Sequence, residues 1–166
     1  MAVRPILRWP DARLRTRAVA VGAVTEAERA LWADMVDTME AMPGVGLAAV
    51  QLGVMRRLAV VDASPARGQA VLLADPQVIE AATEFASGEE ASPCLPGVSA
   101  RVARPVRVLV RYLDAAGAVA EREFEGLWAR SLLHQIDHLD GRMYFDRLSA
   151  VKRDMLLRRA GKHARA

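Results

Sequence analysis

Ser131-Leu132-Leu133-His134-Gln135-Ile136-Asp137-His138-Leu139-Asp140-Gly141 is the stretch on which the reading of the whole chain turns. His134 and His138 are four residues apart. On a helix that spacing stacks both imidazoles on one face, one turn apart. Two neutral imidazoles so placed can share a metal ion. The common form of the pattern is H-E-x-x-H, whose Glu serves as a general base for metal-bound water. Here that position is Gln135. An amide accepts no proton near neutral pH, so the ligand half of the motif is present and the base half is missing. Leu132, Leu133, Ile136 and Leu139 surround the pair with apolar residues, which predicts a largely buried helix. Buried imidazoles need partners, and a metal is one such partner.

Outward from the helix, composition sets the frame. A chain of 166 residues, 52% apolar, fits one domain over residues 1–166 with a substantial core. The lone Cys94 excludes an internal disulfide and suits a reducing compartment. Without a run of 18 apolar residues or a signal-peptide pattern, the expected setting is cytoplasmic, with no membrane partner. The charge is unevenly placed. From Val151 to Ala166 six basic residues face Asp154 alone, a net +5, so the rest of the chain carries −2 of the overall +3. A basic tail from about residue 150 is either a solvated helix end or a patch that meets nucleic acid such as ribosomal RNA.

Thr25-Glu26-Ala27-Glu28 has the form of a capping box, and Leu31, Met35, Val36 and Met39 recur at helical spacing. This predicts a helix over 26–41, ended by Pro43. Leu58–Asp62, Ala70–Ala74 and Pro76–Ala82 read as extended segments. Val106–Leu113 and Val119–Phe124 read as a hairpin turned by Asp114-Ala115-Ala116-Gly117. The segment Glu89–Gly97 holds Pro93 and Pro96 and cannot be a regular central strand. The His helix is expected over 127–139 and a short terminal helix over 150–159.

Three segments together resemble the peptide deformylase family. Gly44-Val45-Gly46-Leu47-Ala48-Ala49-Val50-Gln51 is similar to its G-x-G-L-A-A-x-Q motif. His134-Gln135-Ile136-Asp137-His138-Leu139-Asp140-Gly141 is similar to H-E-x-D-H-L-x-G everywhere but the Glu. Val3–Leu7 and the hairpin before the His helix also look familial. The resemblance implies an α+β fold with antiparallel strands packed around a central helix carrying both His. It implies a divalent metal, iron(II) or zinc, and removal of the formyl group from N-formylmethionine at the N-terminal peptide of nascent chains. A ribosome contact would fall to the basic tail.

The family's E-G-C-L-S motif, whose Cys is the third metal ligand, departs here. Aligned without gaps on Glu90 and on Pro96-Gly97, Glu90-Ala91-Ser92-Pro93-Cys94-Leu95 puts Ser92 at the ligand position. A gapped alignment puts Cys94 there instead, and the ungapped one is preferred. The site implied by the resemblance is then Ser92, His134 and His138 for metal, Gln51 and Gln135 for catalysis, and Val45, Gly46, Leu47 and Leu127 for peptide binding. Gln51 keeps an oxyanion donor, whereas Pro93 has no N–H to give as the second. With thiolate, base and backbone donor all changed, the expectation is weak or absent metal and little deformylase activity; the alternative is an active enzyme completed by Cys94.

Overall fold

The computed structural model describes residues 2–165. Helix α1 spans Glu26–Ala41, and its start is the capping box read from sequence: Thr25 accepts from the Ala27 N–H while Glu28 accepts from the Thr25 N–H at 3.1 Å. Its apolar stripe, Leu31, Trp32, Met35 and Met39, packs on the first strands of a five-stranded sheet. Those strands are β1 (Gly46–Ala48), β2 (Leu58–Val61), β3 (Val71–Ala81), β6 (Arg107–Leu113) and β7 (Val119–Glu125), in spatial order β1-β2-β3-β6-β7, each pair antiparallel.

Strand β3 corrects the expected pair of segments. It is one strand, with a register shift between Ala74 and Gln77. Asp75 takes a positive φ of 50° there, and Pro76 falls in the irregularity, where no ladder N–H is required of it. The Asp75 carboxylate accepts from the Val21 and Gly22 N–H groups at 2.8 and 2.9 Å, tying the irregular N-terminal segment to the sheet.

Strands β4 (Phe85–Ser92) and β5 (Leu95–Pro105) form a separate two-stranded sheet. The segment 89–97 is therefore the tip of a hairpin: Ser92 pairs with Leu95, and Pro93-Cys94 makes the connection. With only two strands there is no central one to disrupt, so Pro93 and Pro96 are tolerated.

Helix α2 (Gly126–Leu139) carries both His and packs on β1, β2, β5, β6 and β7, which makes it the central helix. It starts at Gly126, whose φ of 60° suits glycine, directly after β7. Leu132 and Leu139 are fully buried, and Ala129 and Leu132 join a core with Val61, Leu73, Val108, Val110 and Phe124. Helix α3 runs Ala150–Arg165, six residues beyond the expected end. Its buried Leu156 and Ala160 dock on β5 and the turn at Tyr144–Arg147, giving its later residues tertiary support that periodicity alone does not reveal.

Candidate functional site

A cleft of about 400 Å³ opens between β1, the tip of the β4–β5 hairpin and one face of α2. Its wall includes Val45, Gly46, Gln51, Ser92, Leu127, His134 and Gln135. Seven of the nine residues singled out from sequence therefore meet in one place. The other two lie behind it. Leu47 is fully buried in the core under α1, backbone included, and does not line the cleft. His138 is also buried, one turn along α2 from His134, with ring centroids 5.0 Å apart.

Why the cleft exists can be read from small residues. A Cβ on Gly46 would stand 2.5 Å from Ser131 Oγ and 2.7 Å from Gln135 Nε2, so β1 and α2 approach this closely only with glycine. Ser131 Oγ then donates to the Val45 carbonyl at 2.8 Å, pinning the edge strand to the helix.

Three observations define the chemistry of the His pair. His134 Nδ1 lies 2.8 Å from Glu90 Oε1, and the carboxylate fixes the tautomer that carries the proton on Nδ1, leaving the Nε2 lone pair free to accept or ligate. Tyr144 stacks on the His134 ring at 5.8 Å and limits its rotation. His138 is buried with neither ring nitrogen hydrogen-bonded, and burial holds its pKa well below the ordinary histidine value, so it is a neutral imidazole. An orphaned, neutral, buried imidazole one turn from a second whose tautomer is fixed fits a metal ion. The thiolate that would complete such a site is a different matter. Among the described residues no three His, Cys, Asp or Glu side chains converge to hold a metal.

Cys94 belongs to an apolar cluster with Leu14, Leu95, Val102, Met143 and Phe145. Burial there pushes its thiol above the ordinary value, which keeps it protonated. The thiol accepts a long contact from Gln51 Nε2 at 3.6 Å, while Gln51 Oε1 accepts from the Ala48 N–H at 2.9 Å. Ser92, by contrast, faces the cleft with His134 and Gln135. Its hydroxyl accepts from the Cys94 N–H at 3.3 Å. Gln135 Oε1 is buried with no hydrogen-bond partner.

Glu90 is the residue that sequence reasoning used only as an alignment anchor. It is buried and binds His134, Arg104 and Arg130 together. Burial alone would raise its pKa, but the Arg104 hydrogen bonds and the His134 contact outweigh it and bring the group from 4.5 to about 2. Asp62 and Asp146 are likewise held below the ordinary carboxylate range, against their burial, by hydrogen bonds from Ser64 and Arg15 respectively. A depressed folded-state pKa contributes stability that is complete above the unfolded value and is lost as pH falls through the folded one. Thermal melts of chelator-treated protein should therefore show stability falling from about pH 5 downward, most of it lost by about pH 2. A flat profile across that window would mean that Glu90 is solvated.

A family model described as polypeptide deformylase matches residues 3–154. The chain belongs to the peptide deformylase family. A peptide deformylase of Xylella fastidiosa (strain M12) is 41% identical over 172 residues, covering 99% of this chain and 98% of the relative. A protein named peptide deformylase-like from Rhizobium meliloti (strain 1021) is 40% identical over 166 residues, covering 100% of this chain and 96% of the relative. Among solved structures, a peptide deformylase of Legionella pneumophila superposes with TM-score 0.92 at 38% identity, over 99% of this chain and 96% of that one. A peptide deformylase of Ehrlichia chaffeensis in complex with actinonin superposes with TM-score 0.93 at 34% identity, over the whole of both chains. The expected deformylase α+β fold is thus observed.

Proposed function

We propose that this member of the deformylase family uses its cleft to bind the N-terminal peptide of nascent chains and has weak or no deformylase activity. The observation that carries the reading is the exchange at the hairpin tip: Ser92 stands in the cleft wall beside His134, while the Cys94 thiol is packed into apolar core. A divalent metal, iron(II) or zinc, when bound by His134, His138 and Ser92, would supply Lewis-acid activation of water. A hydroxyl in place of a thiolate removes a negative charge and a soft donor from that set, so affinity falls. Gln135 can orient a ligand through its amide but cannot move a proton. Gln51 Nε2 donates towards the Cys94 sulfur, and Pro93 offers no N–H, so a developing oxyanion has little to receive it.

The peptide-binding part of the machinery is intact. β1 is an edge strand, and at Val45 and Gly46, which line the cleft, it is suited to accept an extended peptide through backbone hydrogen bonds; Leu47, the third residue expected to do so, is buried. Leu127 is 52% exposed at the cleft rim, which favours a ligand contact over plain core packing. On α3, Lys152, Arg158, Arg159, Lys162 and Arg165 are all solvent-facing, and this basic surface is suited to ribosomal RNA. No helix among the described residues is long and apolar enough to cross a membrane, and the nascent-chain reading implies a cytoplasmic setting.

A second reading keeps an active deformylase with Cys94 completing the metal shell. It is favoured by the contact between Cys94 and Gln51, which joins the thiol to a cleft residue. The two separate in an anaerobic assay of formate release from a formyl-Met peptide, run on protein loaded with iron(II) or zinc. Little or no turnover is expected. Elemental analysis after dialysis should likewise give clearly substoichiometric metal. Tightly held, near-equimolar iron or zinc would count for Cys94 as a ligand and against the impaired site.

A further inference from the structure

A second cavity, of about 530 Å³, lies between the β4–β5 hairpin and the start of α2 and meets the cleft at Arg130, which lines both. Its polar side chains are Arg104, Arg107, Arg130, Ser87 and Glu125, three guanidiniums to one carboxylate. Glu125 is exposed, with water to solvate it. The guanidiniums are not fully spent. An Arg side chain carries five N–H donors. Arg104 uses three, two on Glu90 and one on Asp137. Arg130 uses three, on Glu90 and on the Val102 and Ala86 carbonyls. Five minus three leaves two on each, and Arg130 Nε is among them.

Charge points the same way. Arg104, Arg130 and Arg147 meet Glu90 and Asp137, three cations on two carboxylates. Arg107 stands 3.5 Å from Glu123, an exposed pair that water and salt screen. Gly88 lets Arg130 lie against the hairpin: a Cβ there would be 2.8 Å from Nε and 2.9 Å from Cζ. Helix α2 begins on the cavity wall with no side chain capping it and no acid in its first turn, so its partial positive charge adds to that of the arginines. A phosphate monoester, with three terminal oxygens, can accept from guanidiniums carried by separate elements. Here they come from β5, β6 and α2. We infer that this cavity binds a small phosphorylated molecule. Arg107 and Arg130 hold the phosphate, Arg104 backs them, and the group that carries the phosphate fills the remaining volume. The donors line a cavity and not an open face, which suits a monoester better than a polynucleotide backbone. The site does not use the His pair, so it stands whether or not the cleft deformylates.

The test is calorimetric titration of the full chain at constant ionic strength, after dialysis against chelator so that no metal takes up phosphate in the cleft. The probes are inorganic phosphate, glycerol 3-phosphate and glycerol. Both phosphates should bind saturably at one site, the monoester more tightly, and glycerol should not bind. Arg107 is exposed and lines this cavity but not the cleft. Arg107→Gln should therefore weaken both phosphates at least roughly tenfold, the effect of one charge-assisted hydrogen bond. Arg158→Gln, on the basic outer face of α3, should leave them within about twofold, since exposed charges at a distance are screened. The Arg130 Nε–H resonance should move as phosphate is added. No saturable binding at millimolar phosphate, equal losses in the two variants, or an unmoved Arg130 resonance overturns the inference. A short single-stranded RNA that binds more tightly than the monoester and is lost in Arg107→Gln would assign the site to nucleic acid and overturn it as well.

Discussion

Restoring Ser92→Cys, Pro93→Leu and Gln135→Glu together should raise formate release from formyl-Met peptides by at least about 10³-fold over the unaltered protein. General-base catalysis typically contributes about 10²–10⁴ and one oxyanion donor about 10²–10³. Groups that act as a unit do not multiply, which is why the expected gain is set near the contribution of one and not the product of all. The scaffold should accept the changes. The Pro93 carbonyl accepts from Arg8 at 2.6 Å through backbone, which a leucine retains. Gly46 leaves room beside residue 135. Gln135→Glu alone should add little, because a base without activated water has nothing to deprotonate. It would also put an unpaired carboxylate where a neutral amide is now buried, raising its pKa. The order of the effects is the test. If Gln135→Glu alone gives high activity, Cys94 already completes the metal shell and Leu95 supplies the backbone donor.

The parts of this molecule legible in its sequence are those set by neighbours in the chain. The capping box at Thr25 and Glu28 is closed by residues three apart, and the face shared by His134 and His138 by residues four apart. Helix α1 and the β6–β7 hairpin follow for the same reason. The β4–β5 hairpin was not legible in the sequence. Its strands are rich in Ala, Ser and Gly and show little alternation, and pairing such as Ser87 with Ala103 depends on a fold already made. The same holds for the partner of His134. Glu90 lies 44 residues away, and nothing local distinguishes a carboxylate that orients an imidazole from one in solvent. The one local signal is Arg104, which stands among Val102, Ala103, Pro105 and Val106, where an ionised group requires a counterion.

That network carries the largest expected loss of stability. Arg104 Nε and Nη2 donate to the two Glu90 oxygens at 2.6 and 2.8 Å, and its Nη1 donates to Asp137 at 2.9 Å. Arg147 closes on Asp137 from the other side at 2.6 Å. Arg104, Glu90 and Asp137 are all buried, and Asp137 sits on α2 between the two His. Arg104→Met should therefore cost about 3–5 kcal/mol, because it leaves two buried carboxylates short of their shared cation. For a chain of this size that is a fall of roughly 6–20 °C in the melting temperature. Glu90→Gln should cost less, since the amide still accepts from Arg104 while losing the charge. It should also free the His134 tautomer, visible as mixed Nδ1–H and Nε2–H forms in the nitrogen shifts of the ring. The double variant Arg104→Met, Glu90→Gln should be more stable than the sum of the single losses predicts, because much of the Arg104→Met penalty is the stranded Glu90 charge. Losses that simply add, or a cost for Arg104→Met below about 1 kcal/mol as for a surface pair, would mean that water reaches this cluster and that Glu90 does not hold His134 in place.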